Sequence, residues 1–215
     1  MPDTFEVCGI KFTDEFEARQ VVDEVITGDC YRIRDFPEDC TVIDVGAFYG
    51  EFSLACVILK GCHAFAYEPS PITSGILRKN IDANGDKAQK IKVYELGVSN
   101  ECKKSAFSHW PLHPGGSGFR EILDGIQTEV WTRPISDAVA VALELEQPVV
   151  VKLDCEGSEK DIFKDESWID KVQIVTMEWH NNDGNTFRDI LRNHGFEVSM
   201  EDGTRSGGIL FAVKK

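Results

Sequence analysis

The sequence lacks any run of eighteen apolar residues, so no segment is predicted to span a bilayer. Its first twenty residues carry acids where a signal peptide needs a basic start and an apolar stretch. Basic residues are also scarce. The 23 Lys and Arg against 37 Asp and Glu give a net charge of −14, which excludes broad electrostatic capture of nucleic acid and disfavours an anionic membrane surface. We therefore predict a cytoplasmic protein with no nucleic-acid partner and no membrane partner.

Paired cysteine motifs are absent as well. The seven cysteines are an odd number, none forms a C-x-x-C motif, and several lie in apolar runs. We expect reduced thiols that pack as small hydrophobic side chains. With 42% hydrophobic residues, a chain of 215 residues can bury a core without disulfides or structural metals, and we predict a single domain over residues 1–215.

Apolar runs that are typical of buried strands alternate with helical patterns along the chain. This alternation predicts an α/β fold with a parallel sheet covered on both faces. The last two runs, separated by a Gly-containing turn, predict an antiparallel hairpin. We predict seven strands in the order 3-2-1-4-5-7-6. The runs are TVIDVGA, HAFAYEP, IKVYELGVSN, PVVVKLDCEG, VQIVTMEWH, FEVSMED and GGILFAVKK.

Two segments do not follow the alternation. Residues 1–40 predict an N-terminal helical extension, with a helix over 15–27 that ends at Gly28. Residues 101–147 form an insertion that is too long for an ordinary connection, and such stretches are functional or carry extra local strands. The glycine-rich stretch PLHPGGSGF within it predicts a flap that closes over a ligand.

A glycine loop, DVGAFYG, follows the first buried strand, at the edge where open α/β sheets bind ligands. Phe48 occupies the position of the middle glycine of the dinucleotide fingerprint, which disfavours the pyrophosphate of NAD or FAD. With NAD and FAD disfavoured, the candidate ligand of this loop is a nucleoside cofactor without a pyrophosphate. Glu68 ends the second strand, where a carboxylate can accept both ribose hydroxyls.

Charged side chains also follow two later strands. Asp154 lies at the carboxyl end of the fourth strand, and Glu156 and Glu159 lie in the turn after it. Glu178 and His180 end the fifth strand. If the two strands are neighbours, these side chains converge beside the glycine loop.

Taken together, these stretches resemble the FkbM family of class I S-adenosylmethionine-dependent methyltransferases. The resemblance covers about residues 41–200, and KLDCEGSE matches the family's K-x-D-x-E-G-x-E. It implies a Rossmann-like class I methyltransferase fold and S-adenosylmethionine as cofactor. The matching stretches, in the family's order, are VIDVGAFYGEFSL, YEPSP, NIDANG, ELGVSN, VKLDCEGSEKDIF and VTMEWH.

The resemblance also implies roles for individual residues. The glycine loop would wrap the methionine end of the cofactor, Glu68 would hold the ribose, and the end of the third strand would flank the adenine. The predicted cofactor-binding residues are Asp44, Gly46, Ala47, Tyr49, Gly50, Glu68, Pro69, Gly97, Val98 and Asp154. The predicted catalytic residues are Asp154, Glu156, Glu178 and His180.

Three interpretations of this second cluster stay open. In the catalytic one, His180 removes the proton of an acceptor hydroxyl, because its ordinary pKa lies near ~6.5. In the second, Asp154 holds a divalent cation together with Glu156 or Glu178, and the cation lowers the pKa of the acceptor. In the third the cluster is structural, with Lys152 paired to Asp154.

We predict O-methylation of a small-molecule or sugar hydroxyl, with a small-molecule or glycan acceptor as the partner. The N-terminal segment is short for a substrate domain, which leaves either a small acceptor or a pocket completed by the second subunit of a homodimer. The alternatives are methylation of a nucleic acid or protein, and a non-catalytic cofactor-binding module with the same fold.

Overall fold

The structure is a computed structural model, and it describes residues 3–202 and 207–215. A seven-stranded sheet forms its centre, with a two-stranded and a three-stranded sheet beside it. The strands are β1 Thr4–Val7, β2 Ile10–Thr13, β3 Thr41–Val45, β4 His63–Tyr67, β5 Ile91–Tyr94, β6 Gly97–Ser99, β7 Lys104–His109, β8 Ile126–Pro134, β9 Val149–Leu153, β10 Ile174–Trp179, β11 Phe196–Asp202 and β12 Gly208–Lys214.

Helices cover both faces of the central sheet. Their bounds are α1 Ala18–Val22, α2 Glu51–Lys60, α3 Pro71–Asn84, α4 Ile135–Leu143, α5 Glu159–Ile162 and α6 Gly184–Asn193. Helix α5 has only four residues. Among the residues described, no helix is long and apolar enough to cross a membrane.

The central sheet has the strand order β5-β4-β3-β9-β10-β12-β11. This order confirms the predicted sequence 3-2-1-4-5-7-6. All pairs between β5 and β10 are parallel, and β12 runs antiparallel to both of its neighbours, β10 and β11. The turn that was predicted between the last two strands includes residues 203–206, which lie outside the described residues.

The central strands lack polar alternation because both of their faces are covered. Every residue of β3 and β9 is buried. Val149 and Val151 pack in the core beneath α4 and α6, whereas Val150 packs in the opposite core with α2 and the N-terminal segment. The two cores together hold the carboxyl ends of the parallel strands at one edge of the sheet.

The helical extension predicted for residues 1–40 was only partly right. Residues 4–13 form the hairpin β1–β2, and its turn residues Cys8 and Gly9 both have positive φ, as a two-residue hairpin turn requires. The hairpin is bound to α3, because Asn80 Oδ1 accepts a hydrogen bond from the backbone N–H of Thr13. The predicted helix is present as α1, which continues as a π-helical turn over Asp23–Thr27 and ends at Gly28.

The third predicted strand is interrupted. Over 91–100 the chain leaves the central sheet after β5 and forms β6, which pairs with β8 of the insertion in a three-stranded sheet of order β6-β8-β7. Gly97 allows this crossing, because a Cβ there would lie 2.5 Å from the ring of Phe119. The insertion thus carries extra local strands, as its length predicted.

Gly46, just after β3, packs closely against the backbone of Asp154, just after β9. Its φ is +76°, and an added Cβ would lie 1.8 Å from the backbone oxygen of Asp154. We expect Gly46→Ala to cost about 2–4 kcal/mol in the free energy of unfolding, from left-handed strain and overpacking. Urea denaturation measures this cost. In the control Gly75→Ala, within α3, the new Cβ meets nothing within 4 Å, and we expect no loss or a gain of up to about 1 kcal/mol. Equal effects of the two substitutions would contradict the expectation.

Candidate functional site

A cavity of about 500 Å³ opens at the carboxyl ends of the central strands. It lies where the strand order reverses between β3 and β9, the place at which open α/β sheets bind ligands. The glycine loop, the end of β4 and the start of β6 form one half of its wall. The acids after β9 and β10 and the N-terminal helix form the other half, and the glycine-rich stretch 114–117 also lines the cavity.

The glycine loop has three residues with positive φ: Gly46, Phe48 and Gly50. Phe48 is held in this conformation because its backbone N–H donates a 2.9 Å hydrogen bond to Glu68 Oε2. Its ring stacks on Tyr49, with 3.7 Å between the ring centroids, and lines the cavity. The position that corresponds to the middle glycine of the dinucleotide fingerprint therefore carries an aromatic side chain at the cavity wall.

Glu68 is buried at the end of β4. Its Oε1 accepts hydrogen bonds from the Ser70 backbone N–H at 2.9 Å and from Thr73 Oγ1 at 2.7 Å, and its Oε2 accepts the bond from Phe48. Burial raises the pKa of Glu68 to about 7, although the hydrogen bonds from Thr73, Ser70 and Phe48 oppose the rise. A carboxylate offers about four acceptor positions, so one of them is left for a ligand in the cavity.

Four of the predicted cofactor-binding residues do not form the cavity wall. Asp44 is fully buried behind the glycine loop, where its Oδ2 accepts a hydrogen bond from Ser53 Oγ at 2.7 Å. Ala47 and Tyr49 are also buried, and neither they nor Gly50 are among the lining residues. The other six predicted residues do line the cavity: Gly46, Glu68, Pro69, Gly97, Val98 and Asp154.

Lys152 is a buried cation that contacts the glycine loop. Its side chain is 1% exposed, and its Nζ lies 3.1 Å from Asp44 Oδ1 and 3.9 Å from Asp154 Oδ2. Nζ also donates a 2.7 Å hydrogen bond to the backbone oxygen of Gly46. Burial lowers the pKa of Lys152, but the charges of Asp44, Asp154 and Glu51 outweigh it and raise the pKa. Lys152 therefore stays charged and ties β9 to the glycine loop.

Three predicted catalytic acids lie together on the cavity wall: Asp154, Glu156 and Glu178. Burial and the charge of Asp154 raise the pKa values of Glu156 and Glu178 to about 7, although His180 lowers both. The adjacency of β9 and β10 brings the acids together, as the strand ends predicted.

His180 is not placed to act as the base. It is not among the lining residues, and its Nδ1 lies 3.1 Å from Oε1 of the buried Glu159. Burial lowers the pKa of His180, but the hydrogen bond and charge of Glu159, with the charges of Asp154 and Glu156, raise it to about 9. A protonated imidazole cannot accept the proton of a hydroxyl, so the contact with Glu159 disfavours His180 as the base. The catalytic role of His180 stays a prediction.

Three side chains of the cluster are close enough together to hold a metal ion. Asp154, Glu178 and His180 can each offer one ligand atom, with the three atoms within 4.8 Å of one another. A divalent cation there would replace the proton on Nε2 of His180, which lies 3.8 Å from Glu178 Oε1, because only a neutral imidazole is a metal ligand. The Nδ1 hydrogen bond to Glu159 would remain and orient the ring.

Two residues of the site were missed from the sequence. Tyr31 donates a 2.8 Å hydrogen bond from its hydroxyl to Asp154 Oδ2, across 123 positions of the chain. Glu51 is 4% exposed at the start of α2, and its Oε2 is buried without a hydrogen-bond partner. Burial raises the pKa of Glu51 to about 8, although Lys152 lowers it. The sequence around Tyr31 contains no motif that would have indicated its role. Glu51 could have been found, because it directly follows Gly50 of the glycine loop.

The glycine-rich stretch contacts the N-terminal helix. Glu17, which precedes α1, accepts a 3.2 Å hydrogen bond from the backbone N–H of Gly115 and lies 3.2 Å from His113 Nδ1. Pro114, Gly115, Gly116 and Ser117 line the cavity. The glycine-rich stretch thus lies at the cavity wall and contacts the N-terminal segment, and its role as a flap stays a prediction.

The Glu159–His180 pair should make stability depend on pH. The pKa of His180 is raised from 6.5 to about 9, so the pair stabilises the fold fully below pH 6.5 and loses this contribution as pH rises through 9. A shift of this size corresponds to about 3 kcal/mol. We expect Glu159→Gln to destabilise the protein by about 2–3 kcal/mol at pH 6 and by clearly less at pH 9.5, measured by urea denaturation. A difference that grows with pH would contradict the assignment.

Comparison with known proteins finds a family model and several methyltransferases that are similar to this chain. The family model of the methyltransferase FkbM domain matches residues 44–198. The chain is 23% identical to Methyltransferase 1 of Beauveria bassiana, over 89% of this chain and 90% of that protein. It is 27% identical to the hexuronic acid methyltransferase AglP of Haloferax volcanii, over 69% of this chain and 59% of that protein.

A solved structure shares the fold. The structure of methyltransferase FkbM from Methylobacillus flagellatus aligns with a TM-score of 0.55 at 19% identity. The alignment covers 82% of this chain and 44% of that chain, so this chain spans less than half of the length of the protein in that structure.

Proposed function

This chain belongs to the FkbM family of methyltransferases, and on that premise we propose that it transfers a methyl group from S-adenosylmethionine to a hydroxyl of a small molecule or sugar. One observation carries the proposal. The glycine loop and Glu68 face the acids of β9 and β10 across a single cavity, so a nucleoside cofactor and an acceptor can meet there.

The cofactor half favours S-adenosylmethionine over a dinucleotide. The ring of Phe48 fills the space next to Gly46 that a pyrophosphate would need, whereas a methionine chain carries no such group. Glu68 keeps one acceptor position for a ribose hydroxyl, and Gly97 and Val98 line the wall where an adenine would lie. When bound, the sulfonium supplies an electrophilic methyl group and leaves as a neutral thioether.

Asp154 is the residue best placed to act on the acceptor. Tyr31 and Lys152 both approach its Oδ2, which leaves Oδ1 for a hydroxyl in the cavity. We assign to Asp154 the alignment of the hydroxyl behind the methyl group and the acceptance of its proton as the new C–O bond forms. Alignment for in-line attack is a large part of such a rate enhancement.

The charge of the cavity supports a small acceptor over a nucleic acid. Among the residues that the structure describes, no Lys, Arg or His lines the cavity, and nucleic-acid binding depends on basic side chains. Contribution of a second subunit to the pocket stays a prediction.

Thermal unfolding with different ligands tests the cofactor directly. We expect S-adenosylmethionine and S-adenosylhomocysteine to stabilise the protein and NAD to leave it unchanged. A ligand at about 100 times its dissociation constant adds about 2.7 kcal/mol. Stabilisation by NAD alone, or by none of the three, would overturn the proposal.

Removal of the Glu68 carboxylate should weaken cofactor binding. We expect Glu68→Ala to lower the binding free energy of S-adenosylhomocysteine by about 1–3 kcal/mol, the range for hydrogen bonds to charged groups, as calorimetry would measure. Because Glu68 also holds Phe48 and Ser70, the free protein should lose stability too. Thr73→Val is the matched control, since it removes one hydrogen bond to Oε1 and leaves the carboxylate in place. Unchanged affinity in Glu68→Ala would remove this residue from the cofactor site.

A further inference from the structure

More carboxyl groups line the cavity than the cofactor needs. Its described lining contains carboxylates and no basic side chain. S-adenosylmethionine brings an ammonium, a sulfonium and one carboxylate, which is a single net positive charge. The acids that line the cavity are Glu17, Glu24, Glu51, Glu68, Asp154, Glu156 and Glu178.

The nearest cations lie outside the lining and do not balance these acids. Lys152 is engaged by Asp44, its closest carboxylate. Arg120 lies 3.6 Å from Glu156 Oε2. His180 lies 3.1 Å from Glu159, and its Nε2 is 3.8 Å from both Glu156 and Glu178. Each of these cations already has its own carboxylate, and in the described part of the chain the ion pair of Glu178 is the 3.8 Å contact with His180 that Glu156 shares.

Glu51 provides an independent observation. Its side chain is 96% buried, it lines the same cavity, and its Oε2 has no hydrogen-bond partner in the described structure. Buried polar atoms are satisfied in nearly all native proteins, so an unpaired carboxyl oxygen at a cavity wall indicates a missing ligand group. Glu51 and Glu178 both line the cavity, and both favour a ligand that carries hydrogen-bond donors.

Building on the proposed function, we propose that the acceptor is a small polyhydroxylated molecule that bears a protonated amine, such as an amino sugar or amino alcohol. The amine binds at Glu178 and the neighbouring acids, while a hydroxyl of the same molecule faces Asp154. Uronic acids and phosphorylated sugars are disfavoured, because in the described lining their charge would meet carboxylates and no basic side chain. The acceptor class therefore differs from that named for the hexuronic acid relative.

Three six-carbon polyols that differ only in one terminal group test this proposal. They are glucamine, with an amine, sorbitol, with a hydroxyl, and gluconate, with a carboxylate. Calorimetry would measure their binding to the full chain saturated with S-adenosylhomocysteine at pH 8. At that pH Glu156 and Glu178, whose pKa values are about 7, are ionised.

We expect glucamine to bind about tenfold or more tightly than sorbitol, as a unit charge pair near a protein surface allows, and gluconate not to bind. Glu178→Gln should reduce the glucamine-to-sorbitol preference to less than about threefold, and Glu51→Gln should reduce it as well. Glu197→Gln is the control, because this carboxylate is exposed on β11, outside the cavity, and should leave the preference unchanged. Urea denaturation of each variant verifies that it is folded.

Equal affinities for the three polyols, tighter binding of gluconate, or no binding of glucamine at 100 mM would overturn the proposal. A divalent cation is the competing occupant. If Mg²⁺ or Mn²⁺ alone binds to the loaded protein, and Glu178→Gln abolishes that binding, the cluster is a metal site and the proposal is wrong. Failure of S-adenosylhomocysteine itself to bind would instead refute the proposed function, so the two failures are distinguishable.

Discussion

Replacement of Lys152 by methionine is expected to destabilise the protein by about 3–5 kcal/mol. The ammonium is 1% exposed and lies 3.1 Å from the fully buried Asp44, so its removal leaves a carboxylate charge inside the core without a counterion. Methionine fills a similar volume, which limits the effect to charge and hydrogen bonding. The free energy of unfolding from urea titration at pH 7 measures the loss.

Two control proteins show whether the effect comes from the buried charge. In the double variant Lys152→Met/Asp44→Asn, the unpaired charge is gone, and we expect more than about 1 kcal/mol of the loss to be recovered. Lys104→Met breaks the exposed pair with Glu129, and we expect a cost of about 0–1 kcal/mol. A Lys152→Met protein as stable as Lys104→Met would show that the buried pair contributes no net stability.

Asp154→Asn is expected to reduce the rate of methyl transfer about 10²–10⁴-fold, which corresponds to about 3–5 kcal/mol of barrier. The amide keeps the shape of the side chain and still accepts the Tyr31 hydrogen bond, but it cannot take the proton of the acceptor. Transfer of labelled methyl from S-adenosylmethionine to the acceptor measures the rate, and calorimetry with S-adenosylhomocysteine measures cofactor affinity. We expect the affinity to be nearly unchanged.

Tyr31→Phe separates positioning from proton transfer. It removes the hydrogen bond to Asp154 Oδ2 and leaves the carboxylate, so we expect a smaller loss of about 10–100-fold, the usual value of a hydrogen bond to a charged group. If Asp154→Asn instead abolishes cofactor binding, Asp154 belongs to the cofactor half and the acceptor half needs another base. Glu178 or Glu156 would then take that role, because their pKa values of about 7 suit proton transfer.

The sequence by itself determined the order of the sheet and the place of the site. The apolar runs of β3 and β9, the glycine loop between β3 and α2, and the acids at the ends of β4, β9 and β10 are all local features. In a parallel sheet the carboxyl ends of the strands share one edge, so local order is enough to predict at which edge the cavity opens and which strand ends surround it.

Only the tertiary structure decided how those residues are charged and partnered. Against the effect of burial, the hydrogen bond to the buried Glu159 raises the pKa of His180, and the buried Asp44 is paired with Lys152 at 3.1 Å. Tyr31 enters the site from a segment 123 positions away. A pKa and a hydrogen bond depend on neighbours brought together by packing, which the spacing of residues along the chain does not encode.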